Sequence, residues 1–227
     1  MTPTERAELS MLWQEISNRK SVEVLGDGAQ MLRNSNPGDN LPQPGFVGAK
    51  YRSGSVLFIA MNPGGKGLSA ETAQVHQVIE QLQCASAGSL LDAFEALNGV
   101  HRIVVPNWKI FVNFVRPILD CTGLTIDDIA YINLLKWRTR SGVKPREFQR
   151  LYESSWQAYT QRQVAKLIPG AVVAIGSDAG KAFAKLCPHH PYLSSIPRAI
   201  GNNVRPETTS AIALACSHIK NHLFHTM

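Results

Sequence analysis

The chain lacks most of the features that place a protein in a specialised class. Only 18% of its 227 residues are charged and 7% are aromatic. It has no run of about 18 or more apolar residues, so no membrane span is expected. The opening Met1-Thr2-Pro3-Thr4-Glu5-Arg6 is polar and has no apolar h-region, so a cytoplasmic protein is expected. The four cysteines, Cys84, Cys121, Cys187 and Cys216, form no C-x-x-C pair. Their spacing argues against a zinc ribbon or a dense cysteine cluster and fits reduced thiols in a cytoplasmic chain. Internal repeats and low-complexity tracts are also absent. What is present is 44% hydrophobic residues, too many for a disordered chain. One domain over residues 1–227 is expected, with an N-terminal helix and loop (1–54) packed on it.

Acidic charge is scarce in one half only. Residues 1–113 hold 9 basic and 10 acidic side chains, whereas residues 114–227 hold 14 and 7. Lys136, Arg138, Arg140, Lys144, Arg146 and Arg150 fall in one short window whose only acid is Glu147. Such a cluster suits a polyanion, because each neutralised phosphate releases counterions. A solvated basic loop and helix is the plain alternative.

Apolar periodicity predicts helices over about 4–20, 70–83, 88–97, 107–120 with a break near Pro117, 145–167, 179–186 and 207–222. Residues 34–54 read as a long loop rich in turn chemistry. The runs Val56–Met61, Ile129–Leu135 and Ala171–Ile175 read as strands buried on both faces, and a fourth is expected near Ala199-Ile200-Gly201. Strands alternating with helices predict a three-layer α/β/α sandwich around a short, mostly parallel, four-stranded sheet. Ligands in such folds bind outside the carboxyl ends of the strands. Three loops fall there: Asn62-Pro63-Gly64-Gly65, the stretch from Asn133 to Arg140, and Asn202 to Pro206.

In the first of these loops, glycine lets the backbone approach a ligand closely, and Pro63 stiffens the turn. The run from Ala60 to Gly67 falls short of a phosphate-binding P-loop. It lacks the first glycine, and Gly67 stands where Ser or Thr would hold magnesium.

The segment Leu57-Phe58-Ile59-Ala60-Met61-Asn62-Pro63-Gly64-Gly65-Lys66-Gly67 resembles the first motif of the uracil-DNA glycosylase superfamily. It is most similar to the single-strand-selective monofunctional and mismatch-specific branches. Ala130-Tyr131-Ile132-Asn133-Leu134-Leu135-Lys136-Trp137 resembles the second conserved strand, and Ser141 to Phe148 its continuation into a helix. Val172 to Gly176 with Ala179 resembles the third strand and the start of its helix. The resemblance spans about residues 45–222.

The resemblance implies hydrolysis of the N-glycosidic bond of uracil or a related deaminated or damaged base, by a monomer that binds single- or double-stranded DNA without a cofactor or metal. Asn62 would hold the attacking water through its side-chain carbonyl. Asn133 would pair with the base edge, since an amide offers both a donor and an acceptor. Met61, Pro63 and Gly64 would complete the base site. Gly65, Lys66, Lys136, Arg138, Arg140, Lys144 and Arg205 would hold the DNA backbone. The last motif departs from the family. Gly201-Asn202-Asn203-Val204-Arg205-Pro206 has no histidine to stabilise the departing base, so Asn202 or Asn203 would stand in its place. Trp108, Phe111 and Trp137 are candidates to stack on the base, against the plain reading that each is a core aromatic.

Two other functions remain open: a non-catalytic nucleic-acid-binding member of the same fold, and a nucleotide-binding phosphohydrolase using the 62–67 loop. His218 and His222 stand i, i+4 near Cys216 without a third ligand, so no metal site is expected. Ser177-Asp178 lacks the elbow of a hydrolase triad.

Overall fold

The computed structural model describes residues 1–33, 41–63, 70–140, 142–188, 190, 193–198 and 203–225. Its strands are β1 (Phe46–Val47), β2 (Val56–Ala60), β3 (Ile129–Asn133), β4 (Ala171–Ile175) and β5 (Leu193–Ile196). The helices are α1 (Pro3–Asn18), α2 (Ser21–Leu25), α3 (Ala70–Cys84), α4 (Leu90–Val104), α5 (Arg116–Thr122), α6 (Pro145–Ser155), α7 (Gln161–Leu167), α8 (Ser177–Leu186) and α9 (Pro206–His225). The chain gathers into two compact units, each drawn from three stretches of sequence.

One unit comprises residues 46–61, 102–132 and 167–227 and holds the sheet. The strand order is β1-β3-β2-β4-β5. β2 pairs parallel with β4, and β4 with β5, while β1 pairs antiparallel with β3. The sheet is therefore mixed and five-stranded, which corrects the expectation of four strands. Every residue of β2, β3 and β4 is buried, as their unbroken apolar runs require.

The two unexpected strands have physical explanations. β1 is two residues long, too short for any periodicity, and a side chain at Gly48 just beyond it would collide with the Asp127 backbone. β5 hides because it carries serines on both faces. Ser194 Oγ lies 3.1 Å from His218 Nδ1 of α9, whereas Ser195 lies against Gly180 of α8. Successive strand residues face opposite ways, so α8 and α9 cover opposite faces of the sheet at this edge. The strand expected at 199–201 falls outside the described residues.

A π-type turn at Phe111–Val115 precedes α5. Pro117 explains it: a proline removes one N–H from the helical ladder, and a wider turn absorbs the mismatch. The expected break near Pro117 takes this form.

The other unit comprises residues 1–45, 62–101 and 133–166. α1 starts with a capping box: the Glu5 N–H donates to Thr2 Oγ1 at 3.2 Å, and the Thr2 N–H to Glu5 Oε2 at 2.7 Å. Leu9, Leu12, Trp13 and Ile16 form its buried face at helical spacing. Trp13 meets Phe94 edge-on at 5.9 Å and donates to the Gly45 carbonyl. Glu15 pairs with Arg162, and Glu8 with Lys166, but all four side chains are substantially exposed and add little stability. α6 runs through a π-type turn at Trp156–Thr160 into α7, so residues 145–167 are one continuous helix as expected. No helix among the described residues is long and apolar enough to cross a membrane.

Candidate functional site

Two asparagines leave neighbouring strands of the sheet, Asn133 as the last residue of β3 and Asn62 two residues past β2. Their surroundings differ. Asn62 is half-buried, and its Nδ2 donates to Thr139 Oγ1 at 3.1 Å. This hydrogen bond joins the first motif to the segment after the second. It engages the amide nitrogen and leaves the carbonyl oxygen as the atom able to hold a water. Asn133 is only 6% exposed, and its buried Oδ1 has no hydrogen-bond partner among the described residues. A buried acceptor left unmade costs roughly 1–3 kcal/mol, so such an atom marks a place where a ligand donor is welcome.

The chain after Asn133 is irregular yet buried from Leu134 to Trp137. Its carbonyls find partners one at a time. Lys136 Nζ donates to the Asn133 carbonyl. Thr160 Oγ1, in the π-type turn, donates to the Leu134 carbonyl at 3.0 Å. The Gln43 N–H donates to the Lys136 carbonyl at 2.8 Å. Trp137 is fully buried with its ring 6.4 Å from that of Tyr159, and its Nε1 has no hydrogen-bond partner among the described residues.

Lys136 therefore does not act as expected. It is 0% exposed, and burial holds its ammonium well below the usual lysine range. A side chain so enclosed cannot reach a phosphate, so its assignment to the DNA backbone is corrected. The rest of the window divides by exposure. Arg138 is half-buried, whereas Arg140, Lys144, Arg146 and Arg150 are exposed. Lys144 is the N-cap of α6, and Arg146 lies in its first turn. Cations there add to the positive end of the helix dipole, which concentrates positive potential beside them.

The remaining assignments fall differently. Met61 is buried and Pro63 half-buried. Gly64, Gly65, Lys66 and Asn202 lie outside the described residues, as does the second half of the P-loop-like run. Within the sheet unit, Asn203 is exposed and its Oδ1 accepts from Lys109 Nζ at 2.6 Å. Arg205 is exposed, and its N–H donates to Thr208 Oγ1 at 2.9 Å, which in turn donates to the Pro197 carbonyl. Of the stacking candidates, Trp137 and Phe111 are core residues, while Trp108 is half-buried.

Sequence reading missed Thr139, Thr160, Lys109 and Arg198. Thr139 and Thr160 show no pattern because each matters through one hydrogen bond across the fold. Arg198 follows β5, and its Nε would lie 3.0 Å from a side chain added at Gly176, whose φ is +105°. Only glycine suits both that backbone and that approach.

A polar cleft of about 440 Å³ is lined by residues including Glu15, Arg19, Glu23 and Tyr159. Its charges are already paired, Glu15 with Arg162 and Arg19 with Glu23. The chain matches no protein-family model and no curated protein sequence.

Proposed function

We propose that the chain is a monofunctional DNA glycosylase that hydrolyses the N-glycosidic bond of uracil or a related deaminated or damaged base. The observation that carries the reading is the pair of strand-end amides. Asn62 has its nitrogen tied to Thr139, and Asn133 keeps a buried acceptor without a donor among the described residues. In such a reaction the sugar becomes cation-like and the base leaves as an anion. The site needs a held water, groups that read the base edge, and an extruded nucleotide.

Asn62 Oδ1 holds the water. An amide is a poor base, so its contribution is orientation. Asn133 accepts from the N3–H of a pyrimidine. The exposed Arg140, Lys144, Arg146 and Arg150 take DNA phosphates. A non-catalytic nucleic-acid-binding protein is the second reading, favoured by a basic face that stands exposed whether or not chemistry follows.

The test is base release from uracil-containing single- and double-stranded oligonucleotides under single turnover. Asn62→Ala is expected to slow release by roughly 10²-fold or more, as loss of an orienting group does. DNA binding that persists and weakens with salt, without release of uracil, hypoxanthine, xanthine or mismatched thymine, would favour the second reading.

A further inference from the structure

We propose that Thr139 is a positioning residue for Asn62, setting the amide so that its nitrogen faces Thr139 and its oxygen faces the attacking water. The proposal rests on the glycosylase reading and adds a residue that no motif assigns.

An asparagine amide has two ends of nearly equal size and opposite hydrogen-bond character. Turned one way, Asn62 accepts from a water and directs the water's lone pair; turned the other way, it donates to that lone pair and blocks attack. Something must therefore choose the orientation. In the structure Nδ2 donates to Thr139 Oγ1 at 3.1 Å, which holds the oxygen toward the water as long as the hydroxyl, able to donate as well as accept, gives its own proton elsewhere.

Thr139 is itself held from both sides. The Arg33 N–H donates to the Arg138 carbonyl, and the Arg140 N–H to the Met31 carbonyl, each at 3.0 Å. Between these bonds Thr139 pairs antiparallel with Leu32. Bonds on both sides of a directly opposed pair define the close, non-hydrogen-bonded position of an antiparallel ladder, where the two side chains share a face. Leu32 is 1% exposed, so the partner strand is anchored in the core. The hydroxyl thus stands on a pinned stretch of backbone, and half-burial shields its bond to Asn62 from competing water.

The experiment compares Thr139→Val, which keeps the shape and removes the acceptor, with Thr139→Ser, which keeps the hydroxyl. Single-turnover base release, DNA affinity and thermal midpoint are measured for each. Thr139→Val is expected to slow release about tenfold, the rate equivalent of one hydrogen bond, with DNA affinity unchanged. Thr139→Ser should stay within about twofold of wild type on the same scale. In an Asn62→Ala background, Thr139→Val should change nothing further, because it acts through the residue already removed.

An unimpaired Thr139→Val, a serine that fails to rescue, or loss of rate matched by loss of affinity or folding in both variants would overturn the role. A wild type that releases no base would overturn the glycosylase reading and this role together. A wild type that releases base, with Thr139→Val unimpaired, would overturn the role alone.

Discussion

The two ends of the basic window behave oppositely. Lys136 at its start is fully buried and held toward the neutral amine, while Arg140, Lys144, Arg146 and Arg150 toward its end are exposed. In sequence they form one run of like charge. The difference teaches that a count of basic residues is not a count of available cations. Lys136 lies in the irregular segment directly after a fully buried strand, and that segment turns inward. Its aliphatic stem fills core space, and its amine donates to the Asn133 carbonyl. The later residues sit around the start of α6, where the apolar face points inward and the charges outward.

The sharpest way to break this comparison is to truncate Lys136. Lys136→Ala leaves a cavity and removes a hydrogen bond from a buried carbonyl, so a loss of about 2–5 kcal/mol is expected. The urea midpoint measures it. Unchanged stability with weakened DNA binding would mean that Lys136 belongs with the exposed cations after all.

The next effect is a pH dependence. A lysine whose folded pKa lies below its unfolded value binds its proton more readily when unfolded, so stability rises with pH between the two values. That window runs from the depressed folded value up to the ordinary 10.5. Within that window stability is expected to climb with pH by up to about 1.4 kcal/mol per unit, and Lys136→Met should flatten the climb. The measurement stops below pH 10. There the buried Tyr51 and Tyr131, raised by desolvation, begin to destabilise the fold as their unfolded counterparts ionise. A flat wild-type profile would count against a neutral buried amine.

The smallest effect on folding belongs to the exposed end. Arg146→Ala with Arg150→Ala should change stability by no more than about 0.5 kcal/mol. It should weaken binding to single-stranded DNA and lower the log–log salt slope by about 1.4, since each phosphate contact contributes about 0.7. An unchanged slope would show that this face is merely solvated.

Much of the architecture was legible because apolar runs and periodicity are local signals. β2, β3, β4 and the continuous 145–167 helix lie where the sequence places them, except that β2 ends at Ala60 and β3 at Asn133, short of the expected Met61 and Leu135. β5 was not legible, because Ser194 and Ser195 serve contacts to helices distant in the chain rather than an apolar pattern. At the candidate site the two asparagines could be picked out, since each follows a buried strand. Thr139 could not, because its importance arises from Asn62, 77 residues away.

By itself, then, the sequence determined an α/β chain with buried central strands, asparagines at two strand ends, and a surplus of positive charge in its second half. These follow from residue type and spacing, which short-range geometry converts directly into helices and strands. Only the tertiary structure decided that the sheet is mixed and five-stranded, that Lys136 is withdrawn from the charged surface, and that Thr139 meets Asn62. Each depends on which distant segments come into contact, and burial and hydrogen-bond partnership are properties of that contact rather than of any residue alone.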